Sequence, residues 1–367
     1  MSEIQATLLA RADEFDLVPR QDQLEAIFEN IYALSGHGGH MDAQSAPIWA
    51  EKMRHTYAKV LETIYPEYAA ANGEVAEIDT EIDPASTEAE YFRVDQTGFA
   101  DWIDDDGHMI PGGSMTAKRY TLRHAEIGHE YKVNFFDLER AQKAKLALQP
   151  LKAKNAKRTH DAKTNWVWLM GDSAKALPGF LTHPNIPRVL APLNAGTSSR
   201  LWANKTNAEI LADLALVIDQ VPVQTIRAFY AAIVYMPLQL MQICKNRQVG
   251  GDTNNYGSKN LWEYIKEQYS GDDTGQGKIE FRILNECSAA FRSNPVTQTD
   301  DSGLSGDCIM VCPPRDRDVW AFLRSRPFST RPPQQIKFSM VHTTHSKIGG
   351  CKVTQPMAFV RLEFGTT

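Results

Sequence analysis

Apolar residues recur at helical spacing over residues 21–34, where Leu24, Ile27, Phe28 and Ile31 share one face, and residues 47–65 support a second helix. Between them SGHGGHMD forms a glycine-rich link. A helical arm joined in this way suits a segment that packs on a neighbouring copy of the chain, and it equally suits a peripheral helix on its own domain. The pattern then changes period. Residues 91–103 and 118–136 both read as long strands, and in the second Ile127, His129, Tyr131, Val133 and Phe135 fall on one face. The turn between them is acidic and rich in glycine. A two-stranded hairpin buries little of itself and is marginal alone in water. It is therefore either an arm laid across an adjacent subunit or a hairpin at the edge of its own sheet.

Residues 137–148 read as a short helix, and Pro150 opens a longer one that runs to Met170. Lys152, Lys154, Lys157, Arg158 and Lys163 give this helix a basic stripe, which serves either an anionic partner or simply solvent. The helix closes on NWVWLMGDSAKALPGFLTHPNIP. There Trp166, Leu169 and Met170 continue the apolar face, Gly171 fits a left-handed cap, and Pro178, Pro184 and Pro187 keep the helix from resuming. Trp166 and Trp168, two residues apart, point in different directions, so one core and one interface tryptophan are expected. Thr206-Asn207-Ala208-Glu209 is a capping box, after which Ile210, Leu211, Leu214, Val217, Ile218 and Val221 hold one apolar face. Strand-like residues 231–235, helical 261–269 and strand-like 279–284 and 308–312 follow in alternation, as in a compact α/β domain. Residues 335–364 return as strands beside the long helix.

The wording Gly171-Asp172, a short spacer, Pro178-Gly179-Phe180-Leu181 and His183-Pro184-Asn185-Ile186 resembles the segment after the spine helix of tailed-bacteriophage major capsid proteins, in the encapsulin-like branch of the HK97-type fold. Ile64-Tyr65-Pro66-Glu67, Ala89-Glu90-Tyr91-Phe92-Arg93 through Gly98, and Ile348-Gly349-Gly350-Cys351-Lys352-Val353 followed by Gln355-Pro356-Met357-Ala358 are similar to that family's arm, first strand and closing strands. The likeness covers the chain from Pro47 onward and leaves the first 45 or so residues out. It implies an α+β fold divided into an N-terminal extension (1–45), an N-terminal arm (46–88), an extended loop hairpin (89–125), a peripheral domain with the spine helix (126–205), an α/β axial domain (206–334) and return strands of the peripheral domain (335–367). The extended loop is tipped by Trp102, Asp104, Asp105, Asp106, Ile110 and Pro111, which are the expected contacts between subunits. The resemblance further implies a non-enzymatic building block that assembles in the host cytoplasm, as pentamers and hexamers, into an icosahedral virion shell. That shell would enclose double-stranded DNA, which is one candidate partner of the basic helix face. Scaffolding, portal and cement proteins are possible partners, and no cofactor and no membrane are implied. Axial loops 248–258 and 293–305, rich in Gly, Asn, Asp and Thr, suit slightly different shapes in pentamers and hexamers. A nanocompartment shell around protein cargo is the alternative within the same fold.

With 367 residues, 43% of them hydrophobic, the chain can bury a substantial core. A net charge of −6 argues against tight phosphate binding over its own surface, because that needs clustered Lys and Arg. Cys244, Cys287, Cys308, Cys312 and Cys351 contain no CxxC pair and suit a reducing compartment. On a strand, Cys308 and Cys312 stand about 13 Å apart, too far to bridge each other. The longest apolar run, 228–238, is too short to span a bilayer.

Enzyme signatures fail on spacing: the chain has no GxxxxGK[ST], GxSxG or HExxH motif. Asp104, Asp105 and Asp106 before Gly107 imitate a calcium loop, but that register puts Trp102 at the first ligand position. His342 and His345 fall on opposite faces of a strand and do not chelate one ion. His37, His40 and Asp42 lie in a glycine-rich loop, which is either a hinge or part of a zinc site, and a metal-dependent hydrolase using His37 and His40 is the alternative of another class.

Overall fold

The computed structural model describes residues 68–100, 102, 112–143, 147–249, 259–271 and 277–365. The chain divides into two units, Met1–Ile64 and Tyr65–Thr367, of which the first lies outside the described residues. The expected helices at 21–34 and 47–65, and His37, His40 and Asp42, therefore lie outside them too.

Two sheets organise the second unit. The first has the order β1-β8-β10-β3-β2, with β9 also on β10; the strands are β1 (Ile78–Asp79), β2 (Glu88–Thr97), β3 (Ser114–Asn134), β8 (Trp320–Thr330), β9 (Gln334–Ile336) and β10 (Ser339–Val353). The second has the order β4-β11-β7-β5-β6, made of β4 (Arg188–Leu190), β5 (Ile233–Met236), β6 (Glu280–Ile283), β7 (Cys308–Cys312) and β11 (Val360–Glu363). Helix α1 (Phe135–Lys143) follows β3, and the long α2 (Leu148–Met170) lies against β3, β10 and β8. Helices α3 (Asn207–Gln224), α4 (Leu238–Asn246) and α5 (Leu261–Gln268) accompany the second sheet.

Strand periodicity makes the second sheet a middle layer. Ile233, Tyr235, Cys308, Met310 and Cys312 face a core that also contains the last turn of α2, Phe180, Trp320 and Phe322. Their neighbours Val234, Met236, Ile309 and Val311 face the opposite way, into a core with α3, α4 and α5. Both faces being covered explains why these strands are continuously apolar rather than alternating. Helix α3 begins as its capping box dictates, with Thr206 and Glu209 satisfying each other's backbone. Ile210, Leu214, Val217, Ile218 and Val221 are all buried on one face, with Leu211 packed beside them. The ion pair of Lys205 and Asp213 sits beneath its first turn, 2.5 Å long and almost wholly buried, with the Trp202 indole also donating to Asp213 at 2.9 Å.

The end of α2 is a tight junction. A helix leaves its last four carbonyls without partners, and here all four are met. Gly171 N–H donates to Val167 O, Phe180 N–H to Trp168 O, Leu181 N–H to Leu169 O, and the Thr182 hydroxyl to Met170 O, at 2.7–2.8 Å. For the chain to fold back this closely, Gly171 and Gly179 must touch. A Cβ on Gly179 would stand 2.2 Å from Gly171 N, and Gly171 itself takes φ +78°, ψ −177°. That is not the left-handed helical cap expected but an extended conformation of positive φ open essentially to glycine alone.

Trp166 and Trp168 are both core residues, which corrects the division into one core and one interface tryptophan. Trp168 stacks on Phe322 with centroids 4.9 Å apart, donates to Gly349 O and carries the Arg324 guanidinium over its ring. In the last turn of α2 every side chain is buried, because the second sheet and the Phe180 loop close over the helix's outer side. Farther back, buried His160 pins α2 to β10. Thr344 Oγ1 donates to His129 O at 2.8 Å and so accepts from His160 Nε2 at 3.1 Å, which leaves Nδ1 to accept from Ser346 Oγ at 2.9 Å.

Four further elements differ from expectation. Strand β8 carries Pro327 and two arginines, which break the alternation a reader looks for; the proline sits where pairing with β10 shifts register, a place a sheet tolerates it. Helix α4 starts on Pro237 directly after β5 and merges with the preceding apolar run. Residues 335–364 do not all return beside the long helix: β10 does, but β11 crosses into the second sheet between β4 and β7. Phe135, assigned by alternation to the strand, opens α1 instead.

Candidate assembly interface

Strand β3 has 21 residues and serves two purposes along its length. From Asn134 back to His124 it pairs with β10 inside the first sheet. From Arg123 back to Ser114 it pairs with β2 in ten consecutive antiparallel pairs, Arg123 with Glu88 through Ser114 with Thr97. Ten residues of strand reach about 33 Å, and along this reach β2 has β3 as its partner strand. Past the last pair the strands converge on Gly98 and Gly113, so close that a Cβ on Gly98 would stand 2.9 Å from Gly113 Cα.

The two faces of this hairpin are unlike. On one, Tyr91 stacks on Tyr120 at 5.3 Å and lies under the Lys352 ammonium, which seats the root of the hairpin on the end of β10. Burial pushes the Tyr91 phenol up, so it stays protonated there. On the other face the register pairs Phe92 with Arg119, Val94 with Ala117 and Gln96 with Met115, so that Phe92, Val94, Ala117 and Met115 run diagonally along it. Phe92 and Met115 are each 67% exposed and Val94 51%, and Phe99 beyond them is 72% exposed. Arg119–Glu90 at 3.6 Å and Arg123–Glu88 at 3.3 Å bound this apolar strip toward the root. Those ion pairs are exposed and worth little to the hairpin's own stability.

Of the expected tip contacts, Trp102 is described and is 96% exposed, while Asp104, Asp105, Asp106, Ile110 and Pro111 lie outside the described residues. The apolar strip was missed by sequence reasoning, although its signal is present: Phe92 and Val94 alternate in phase, and no second apolar layer follows that could cover them. A second exposed group, Phe136 and Phe338 with ring centroids 5.7 Å apart and Ile336 nearby on the β9–β10 turn, lies at the opposite end of the first sheet.

The five basic residues of α2 do not make one stripe. At about 3.6 residues per turn, Lys152 and Lys163 fall on one flank, Lys157 on the other, and Lys154 and Arg158 on the outer side between them. Lys152 donates to Lys132 O at 2.6 Å and Lys163 lies 3.7 Å from Asp172. Lys157 borders a cleft of about 320 Å³ that it shares with His160, Asp161, Arg324 and Phe328. There burial pushes the Asp161 carboxyl up against the pull of Lys157 and Arg324. Arg158 reaches Asn155 at 3.0 Å.

The loop at 293–305 is braced rather than loose. Buried Arg292 donates to Asp300 at 2.9 Å and to Gly306 O at 2.7 Å, and Asp301 accepts from Asn294, Thr297 and Thr299. Those three donors hold the Asp301 carboxyl below its usual range. Most of the companion loop, 250–258, lies outside the described residues.

Among the described residues no three of His, Cys, Asp and Glu gather as a metal site, and no helix is long and apolar enough to cross a membrane. His342 and His345 face opposite sides of β10 as expected, His342 stacked on Tyr131 at 4.7 Å and His345 bonded to Ser329 at 3.2 Å.

A family model described as Major capsid protein matches residues 98–364. Among solved structures, the capsid protein of Myoviridae phage XM1 is similar at TM-score 0.67 and 12% identity over 89% of this chain and 99% of that one. The capsid of a native GTA particle, computed with C5 symmetry, gives 0.57 and 10% over 89% and 100%, and a structure from Mycobacterium phage Ogopogo gives 0.55 and 9% over 86% and 98%. At these identities the shared property is the fold, the HK97-type capsid fold. No curated protein matches the sequence.

Proposed function

The chain belongs to the major capsid protein family, and from that premise we propose that its copies assemble as pentamers and hexamers into the icosahedral shell of a tailed phage, closed around double-stranded DNA. The observation that carries this reading is the projecting hairpin, whose strip of Phe92, Val94 and Met115 is left exposed among the described residues. Monomeric proteins seldom expose such contiguous strips, and when they do the strip meets a partner. Laid over a neighbour, the hairpin trades solvent for protein on that face, with Trp102 and the acidic tip 104–106 extending the contact.

The domain division follows the same reading. The arm is 46–88, the hairpin 89–125, the peripheral domain 126–205 with α2 as its spine, and the axial domain 206–334. Residues 335–367 return to both sheets, since β11 is shared with the axial domain. In a shell each subunit contributes several contacts, each near or above the roughly 1,000 Å² of a specific interface, and closed symmetry multiplies them. The braced 293–305 loop is then a rigid axial contact. That the GTA capsid named above was computed with C5 symmetry supports five-fold capsomers in this fold. Lys154 and Arg158 on the outer side of α2 are the cations best placed for packaged DNA. Assembly in the host cytoplasm, with scaffolding, portal and cement proteins as further partners, completes the proposal.

The test is negative-stain electron microscopy with sizing chromatography on the purified chain at near-physiological salt. Shells, sheets or capsomer rings are expected. A monomer that stays monomeric both alone and with scaffold co-expressed would contradict the reading.

A further inference from the structure

Four of the five cysteines, Cys287, Cys308, Cys312 and Cys351, lie in the same core, fully buried and unbridged. Two of them are neighbours across a chain crossing. Cys287 ends the 3₁₀ turn Asn285–Cys287 and Cys308 opens β7. The residues beside them are tied together, because Ser288 Oγ and Ala289 N–H both donate to the Asp307 carboxylate, at 3.1 and 3.0 Å. The chain thus leaves and re-enters the core at one point, where Cys287 and Cys308, the chain neighbours of the bonded Ser288 and Asp307, are both fully buried in the same core. Cys244 belongs to the other core.

We propose that Cys287 and Cys308 form a redox-modification site, at which a peroxide converts two buried thiols into one intrachain disulfide that closes residues 288–307 into a covalent loop. One thiol ionises and its thiolate attacks a peroxide oxygen, giving a sulfenic acid and water. The second sulfur then displaces hydroxide from the sulfenic sulfur, which leaves with the second thiol's proton as water. Two thiols and one hydrogen peroxide become one disulfide and two waters; the sulfurs lose the two electrons that the peroxide gains. Burial together with the neighbouring thiol pushes Cys287 well above the usual thiol range. The first step is therefore slow in the closed protein and proceeds when this region opens. The loop so closed contains Arg292 and its braced partners, so the bond locks a segment that the native hydrogen bonds already hold in one shape.

The experiment treats the full-length protein with hydrogen peroxide, blocks remaining thiols under denaturing conditions and maps the peptides by mass spectrometry. A Cys287–Cys308 peptide pair two hydrogens lighter is expected, with free thiols falling from five to three and a melting temperature about 5 °C higher that reverts with dithiothreitol. Cys287→Ser and Cys308→Ser should each lose the linked peptide and the melting shift, while Cys244→Ser keeps both. Mapping on the unsubstituted chain decides the matter even if a serine variant folds poorly. A link between Cys312 and Cys351, or Cys287 and Cys308 still open to the blocking reagent after exposed methionines have oxidised, would overturn the proposal.

Discussion

At the scale of single residues, the glycine pair that closes α2 sets a hard constraint. A Cβ on Gly179 would collide with the backbone of Gly171, Met170 and Leu169, and none of these is a side chain that can swing aside. Gly179→Ala should therefore lower the unfolding free energy by about 3 kcal/mol, within the range for overpacked or strained sites. Gly196→Ala, where nothing stands within 4 Å of the added carbon, should leave it nearly unchanged. Urea denaturation of the two variants measures the contrast. Histidines give the second residue-scale prediction. Burial, with Arg361 nearby, pushes His183 down to about 4, and the Asn185 N–H donates to its Nδ1, which requires a neutral ring. Burial lowers His160 and His124 as well. Such a group is neutral when folded but takes a proton near pH 6.5 when unfolded. The stability it contributes is therefore fully present above pH 6.5 and is lost as pH falls from 6.5 toward 4. From pH 7 to pH 5 His183 alone accounts for about 2 kcal/mol, and His183→Gln should flatten the fall in urea midpoint over that interval. The turn at 171–187 was legible in the sequence from its glycines and prolines. Its purpose was not, because the four carbonyls it satisfies are met by residues up to 12 positions away that only the folded chain brings back.

Elements were legible where their periodicity served one environment. The capping box and single apolar face of α3, the fully buried run Cys308–Cys312 and the long hairpin strands could each be read because one physical demand governed each. Strand β8 escaped because it answers two demands, a buried beginning at Trp320–Leu323 and a bulged, proline-bearing end against β10. The basic stripe of α2 looked continuous in one dimension and disperses around the helix in three. For the hairpin, the consequence of an exposed apolar strip can be tested separately from folding. Phe92, Val94 and Met115 are each more than half exposed among the described residues, so replacing all three with serine should keep the subunit's melting temperature within about 2 °C of the parent. Particle yield should collapse, because the strip is then no longer worth burying against a neighbour. Sizing chromatography beside thermal melting reads both quantities. Normal shells from the triple variant would show that the strip is not the contact. Deleting residues 104–113 makes the matching prediction for the tip: a folded subunit that no longer forms stable shells.

At the scale of the whole molecule, the shared strand β11 matters most. It ties the sheet beside α2 to the second sheet through the short passage from Val353 to Val360, so the two sheets share a packed core that includes Phe180, Trp320 and Phe359. A shell built from such subunits adapts through its projecting parts rather than through a hinge in its middle. Electrostatics then opposes assembly and apolar burial favours it. Each chain carries a net charge of −6, so packing many copies edge to edge concentrates like charge. The strip on the hairpin is indifferent to charge. Raising salt from about 0.01 M to about 1 M shortens the screening length from roughly 30 Å to roughly 3 Å. That weakens the repulsion between subunits and leaves the apolar contact intact. The protein concentration at which particles first appear should therefore fall as salt rises, and light scattering across a salt series measures it directly. Shells that dissolve in high salt would mean that ion pairs, and not the strip of Phe92, Val94 and Met115, hold neighbouring subunits together.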